Sequence, residues 1–242
     1  MYRIAAIIQA RLGSTRLPGK MLLDLAGHPI LFWVITRLKQ AKRLSEVILA
    51  TTDKNHDDPL EVLGQQLEVP VFRGSETDVL GRFQEAAHMY NADLIVRICA
   101  DNPFIAPEEI DRLVDFYLAS LAEGGDPLLM YAFNHIPAKE TRYPNGLGAE
   151  IFSIQLLKRL DYLSDQPLHR EHVTLYLWEH PDAFDIRPVP APAELAHPEM
   201  KLDVDTMEDL KKLRVLCARL SLTSSATEIV RTYMDIFGQS DR

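Results

Sequence analysis

The feature that most constrains this chain is an alternation. Short apolar runs with the composition of buried strands are separated by longer stretches in which apolar residues recur at helical intervals. Ile4–Gln9, residues 47–50 and Leu94–Cys99 are the apolar runs. Between the first two, Pro29 opens a segment whose Ile30, Leu31, Val34, Ile35 and Leu38 share one helical face. Proline is tolerated there because the N–H it lacks has no helical partner in a first turn. Asp57 and Asp58 precede Pro59 in a second such opening, with Leu60, Leu63 and Leu67 as its stripe and a short strand at 69–72. Residues 78–90 and 107–118 read as two further helices. Strands and helices in this order form a single-domain three-layer α/β/α sandwich around a mostly parallel sheet. Ligands of such sheets collect beyond the carboxyl ends of the strands, which directs attention to the loops beginning at Ala10, Thr51, Arg73 and Ala100.

After Pro127 the simple alternation stops. Residues 128–133 and 150–152 read as strands around a loop, Tyr143-Pro144-Asn145-Gly146, rich in turn formers. A helix over about 170–180, a strand at 184–189, a proline-rich connector, a short strand at 201–204 and two terminal helices follow. Residues 130–190 are therefore expected to form an inserted layer within one domain spanning 1–242. The length and a hydrophobic content of 47% are sufficient for one large core. The net charge of −9 excludes a general nucleic-acid binder, whose affinity needs a basic surface. No apolar run approaches the roughly 18 residues of a membrane-spanning helix. The first residues lack the pattern of a secretory leader, so a cytoplasmic location without a membrane partner is expected. Cys99 and Cys217 are far apart and read as core residues.

Chemistry concentrates after the first strand, in Gln9-Ala10-Arg11-Leu12-Gly13-Ser14-Thr15-Arg16-Leu17-Pro18-Gly19-Lys20. Arg11, Arg16 and Lys20, with the backbone around Ala10 and Gly13 and the Ser14 hydroxyl, can surround a triphosphate at close range. The spacing of Gly13, Gly19 and Lys20 does not fit GxxxxGK[ST], and no GxGxxG is present. ATPase and dinucleotide readings are thus disfavoured, and a plain solvated loop is the alternative. Asp101 ends the strand Leu94–Cys99 and so projects over the carboxyl edge, as a hard oxygen ligand for magnesium or as the start of an Asp-Asn-Pro turn. Along 201–206, Asp203 and Asp205 share a strand face, so either can reach the same site. Thr206 and Asp209 fit a capping box for the following helix.

Arg11 to Lys20 resembles the signature loop of the acylneuraminate and 3-deoxy-octulosonate (KDO) cytidylyltransferases, especially the branch of spore-coat polysaccharide biosynthesis proteins. The resemblance extends to Ala50-Thr51-Thr52-Asp53, Arg73-Gly74-Ser75-Glu76-Thr77-Asp78-Val79-Leu80 and Ala100-Asp101-Asn102-Pro103. It continues through Asn145-Gly146-Leu147 with Glu150, Arg170-Glu171-His172-Val173-Thr174 and Val204-Asp205-Thr206 with Glu208-Asp209-Leu210, and so covers nearly the whole chain. It implies a Rossmann-like nucleotide-diphospho-sugar transferase fold, and a triphosphate of CTP held by Arg11, Arg16 and Lys20. It also implies one Mg2+ on Asp101 and Asp205, and a homodimer.

The reaction implied is in-line attack by a sugar hydroxyl on the α-phosphorus of CTP, with pyrophosphate leaving and the charge stabilised electrostatically. Thr52, Asp53, Ser75 and Asp78, with Arg82 one turn beyond Asp78, stand where a pyrimidine edge can be read. Alternatively Asp78 caps its helix and Arg82 pairs with it. Tyr143, Asn145 and Glu150 can bond sugar hydroxyls, and Arg170 and His172 can meet an acidic sugar's carboxylate. The latter two also fit the polar start of a helix. A nucleotide-sugar glycosyltransferase is the competing enzyme, disfavoured by the arginine-rich first loop. A non-catalytic nucleotide-binding relative would be expected to lack Arg11, Lys20, Asp101 or Asp205, and all four are present.

Overall fold

The computed structural model describes residues 2–135 and 140–238; residues 136–139 of the expected insertion lie outside them. The chain begins with β1 (Ile4–Gln9), followed by a small hairpin, β2 (Asp24–Leu25) and β3 (His28–Pro29). Then come α1 (Ile30–Leu38), β4 (Glu46–Thr52), α2 (Asp58–Gln66), β5 (Val71–Gly74), α3 (Val79–Met89), β6 (Leu94–Cys99) and α4 (Pro107–Ala122). The second half supplies β7 (Met130–Phe133), β8 (Glu150–Ser153), α5 (Ile154–Leu163), α6 (Pro167–Glu171), α7 (Leu175–Glu179), β9 (Asp185–Pro188), α8 (Met207–Cys217) and α9 (Ala226–Phe237).

The main sheet runs β5-β4-β1-β6-β8-β7-β9, and β8 alone is antiparallel to its neighbours. Strand alternation sends Ala6 and Ile8 into an apolar layer shared with α1, α2 and α4, while Ala5 and Ile7 face a layer built by α3, α5 and α7. Each fully buried Leu or Ile in these layers stabilises the fold by about 2 kcal/mol. A third cluster joins the outer side of α1 to α8, α9 and the extended chain Leu202–Val204. The strands of the 130–190 segment continue the main sheet, and its helices pack beside α3.

Three local expectations give way to tertiary demands. The helix expected over 170–180 is two short helices, because Val173 turns inward to the second apolar layer while His172 stays exposed and both His172 and Thr174 leave helical geometry. The strand expected at 201–204 makes only one bridge, Lys201 to Asn145, since Val204 donates instead to the Asp101 carbonyl at 2.9 Å. The strand expected at 69–72 starts at Val71, the first residue after a proline that has no N–H to give a ladder. Helix α5, capped by Ser153 accepting from Leu156 N, appears in addition.

Candidate active site

Gln9 pairs in register with Cys99 on one side and Ala50 on the other, so β1 and β6 end level, and the loops that follow them open onto one cleft. The cleft is a cavity of about 350 Å³ lined by Arg11, Arg16, Lys20, Arg82, Asp101 and His172 among others. The loop after β1 is pinned from below. Asp57, wholly buried, accepts from Leu12 N at 2.7 Å and receives the Thr52 hydroxyl in a short hydrogen bond. Gly19, at φ 68°, turns the chain in a left-handed conformation that a side chain disfavours, and this delivers Lys20 into the interior.

Lys20 is 7% exposed and its Nζ donates to Asp101 Oδ2 at 2.7 Å and to the Val204 carbonyl at 2.8 Å, with Asp205 Oδ1 at 3.5 Å. Arg16 Nη2 lies 2.8 Å from the same Asp205 oxygen. The bond from Val204 N to the Asp101 carbonyl ties the two aspartate segments together. Two carboxylates from sequence-distant loops therefore converge on a single cation. Hard oxygen donors around a bound ammonium are suited to a hard divalent ion. Among the described residues no group of three or more Asp, Glu, His or Cys is placed to hold a metal, so an ion here would complete its shell with oxygens from substrate or water.

Of the remaining expected residues, Ala10, Gly13 and Ser14 line the cleft, and Arg11 reaches Glu171 at 3.1 Å. Thr52 does not face the cleft but bonds Asp57, and Asp53 is exposed with its carboxylate near Lys54. Ser75 accepts from Asp78 N. Asp78 caps α3 through Gly81 N at 2.8 Å and takes both Nε and Nη2 of Arg170 at 2.8 and 2.7 Å. A Cβ at residue 81 would lie 2.5 Å from that carboxylate, so a side chain there would force the carboxylate to move from where Arg170 holds it. Arg170 also holds Asp161 at 2.6 Å, leaving it a clamp between α6, α3 and α5. Arg82 is buried without pairing with Asp78.

Among the expected sugar ligands only His172 lines the cleft. Tyr143 is fully buried in the third cluster, its hydroxyl in a short bond to Glu109. Asn145 donates to Asp203 at 2.7 Å. Burial pushes the Asp203 carboxyl up, to about 6. Glu150 is buried against Arg97 at 2.6 Å and His135 at 3.1 Å. Burial opposes its charge, but the Arg97 guanidinium and the His135 contact outweigh it and hold the carboxyl at about 2.

Residues 9, 57 and 97 take parts that the sequence reading did not assign. Arg97 Nε donates to Gln9 Oε1 at 3.2 Å, so the Arg97–Glu150 pair braces a side chain on the cleft wall. An arginine inside an apolar strand run is the signal for such a pair, since a buried charge needs a partner. Cys99 is half-buried at the cleft rather than in the core, and burial pushes its thiol to about 12. A thiol this weakly acidic is no nucleophile at neutral pH.

A mostly parallel α/β sheet carrying a cationic turn against two carboxylates is the arrangement of a nucleotidyltransferase. The model of the cytidylyltransferase family matches residues 5–229, and the chain belongs to that family. It is 35% identical to the spore coat polysaccharide biosynthesis protein SpsF of Bacillus subtilis, across 89% of this chain and 87% of that one. It is 28% identical to the 3-deoxy-manno-octulosonate cytidylyltransferase of Chloroherpeton thalassium, across 92% and 91%. A solved cytidylyltransferase from Leptospira borgpetersenii superposes with a TM-score of 0.89 at 32% identity, covering 99% of this chain and 96% of that one.

Proposed function

We propose that this chain activates an acidic sugar for surface-polysaccharide synthesis by transferring CMP from CTP with release of pyrophosphate. The supporting observation is the convergence of Arg16 and Lys20 with Asp101 and Asp205 at the carboxyl end of the sheet. A sugar hydroxyl oxygen bonds to the α-phosphorus while the bond to the bridging oxygen of the pyrophosphate breaks, and the hydroxyl proton passes to solvent. Arg11, Arg16 and Lys20 neutralise the leaving group in the cleft that Gly13 and Ser14 also line. Asp101 and Asp205 would hold a Mg2+ ion, which would supply Lewis-acid stabilisation of the charge on the transferring group. Lys20 then exchanges its carboxylate partners for phosphate.

The names of the SpsF and octulosonate relatives support the choice of an acidic sugar and a polysaccharide pathway. A cytoplasmic homodimer belongs to the same reading. No described helix is long and apolar enough to cross a membrane. In the 130–190 segment Tyr162 and Leu168 are exposed apolar residues suited to a twofold contact. Sedimentation of the purified chain tests the dimer. The function is tested by a panel of nucleoside triphosphates against acidic and neutral sugars, scored by pyrophosphate production. CTP with a 3-deoxy-ulosonic acid is expected to give the highest turnover. Preferential use of UTP or GTP, or release of a nucleoside diphosphate, rejects the reading.

A further inference from the structure

Within the cleft, cations are matched by carboxylates with one exception. Arg11 has Glu171, Arg16 has Asp205 and Lys20 has Asp101. Behind the walls, Arg97 has Glu150 and Arg170 has Asp78 and Asp161. Arg82 lines the same cavity at 2% exposure, and among the described residues it makes no ion pair. Its Nη1 donates to the Ser75 carbonyl at 2.5 Å, and its Nε has no partner. Burial, and after it repulsion from Arg11, lowers its affinity for the proton, to about 10.

A buried guanidinium with no carboxylate in ion-pair contact destabilises the protein that carries it, because the more distant attraction of Asp57, Asp78 and Glu76 does not offset its desolvation. Arg82 could have been matched locally, since Asp78 lies one turn earlier on α3. That carboxylate is instead committed to the α3 cap and to both nitrogens of Arg170. The missing anion must then come from the contents of the cleft. We propose that Arg82 is the receptor for an anionic group of a substrate, either the phosphate of the transferred nucleotide or the acid group of the acceptor sugar. The inference rests on the cytidylyl-transfer reading of the cleft. It also moves the recognition of a substrate anion from Arg170, which is already saturated, to a residue of α3.

The test compares the wild type with Arg82→Met and Arg82→Lys by calorimetric titration, which needs no turnover. The probes are CMP, cytidine, a 3-deoxy-ulosonic acid and the same sugar with its carboxylate reduced to an alcohol. A nucleotide phosphate on Arg82 is expected to weaken CMP binding about 10- to 100-fold in Arg82→Met while leaving cytidine unchanged. A sugar acid on Arg82 leaves CMP unchanged and weakens the acid by the same factor, without affecting the alcohol. In either case Arg82→Lys recovers part of the loss, and Arg82→Met melts no lower than the wild type because it removes an unmatched buried charge. Equal affinities of wild type and Arg82→Met for CMP and for the sugar acid, including no binding of the acid by either, overturn the proposal. So does a binding loss accompanied by a fall in melting temperature of several degrees, which assigns Arg82 to the scaffold. Failure of the wild type itself to bind CMP counts against cytidylyl transfer instead.

Discussion

Lys20 Nζ sits 2.7 Å from Asp101 Oδ2, with Asp205 reaching the same ammonium from the far end of the chain. A lysine thus stands between the two carboxylates proposed to hold the metal, and a bound divalent ion would compete with it for the same oxygens. Lys20→Met is expected to bind Mn2+ more tightly than the wild type in the absence of nucleotide, read by electron paramagnetic resonance. The same variant loses about a hundredfold in turnover, because its phosphate contact is gone. Weaker Mn2+ binding in Lys20→Met would show that lysine organises the carboxylates rather than competing for them.

The Arg97–Glu150 pair makes the second half of the sheet sensitive to acid. Glu150 titrates at about 2 when folded against an ordinary 4.5, so its contribution to stability is complete above 4.5 and disappears as the pH falls through 2. The shift corresponds to on the order of 3 kcal/mol. Glu150→Gln should melt lower than the wild type at pH 7, since it leaves Arg97 buried and unmatched. Its stability should also change less between pH 4.5 and 2. A variant whose acid unfolding curve parallels that of the wild type would separate Glu150 from this behaviour.

Arg170 ties α6 to Asp78 on α3 and to Asp161 on α5. Arg170→Ala is expected to cost about 1–2 kcal/mol of stability and to lower turnover of acidic and neutral sugars alike. A selective rise in KM for acidic sugars, measured by pyrophosphate release with an unchanged melting temperature, would restore it as a carboxylate ligand.

Much of this arrangement can be read from local pattern. β1 and β6 coincide with their apolar runs, and the Thr206–Asp209 capping box opens α8 as its residues require. The loop from Arg11 to Lys20 faces Asp101 because the register of β1 with β6 makes the two loops neighbours, as the carboxyl-edge rule for parallel sheets anticipates. The direction of a side chain is less legible, because it depends on partners distant in sequence. Thr52 turns to Asp57, Tyr143 turns to Glu109, and Asp78 is taken by a residue 92 positions away. The helix expected over 170–180 breaks because one valine is wanted by a core that only the assembled sheet creates.

The most direct measurement is pyrophosphate release from CTP and a 3-deoxy-ulosonic acid by wild type, Asp101→Asn and Asp205→Asn, across a magnesium titration. Both variants should melt within a few degrees of the wild type and lose at least about a hundredfold in turnover. Near-normal, magnesium-dependent turnover in both variants would contradict the assignment of the two carboxylates and the chemistry built on them.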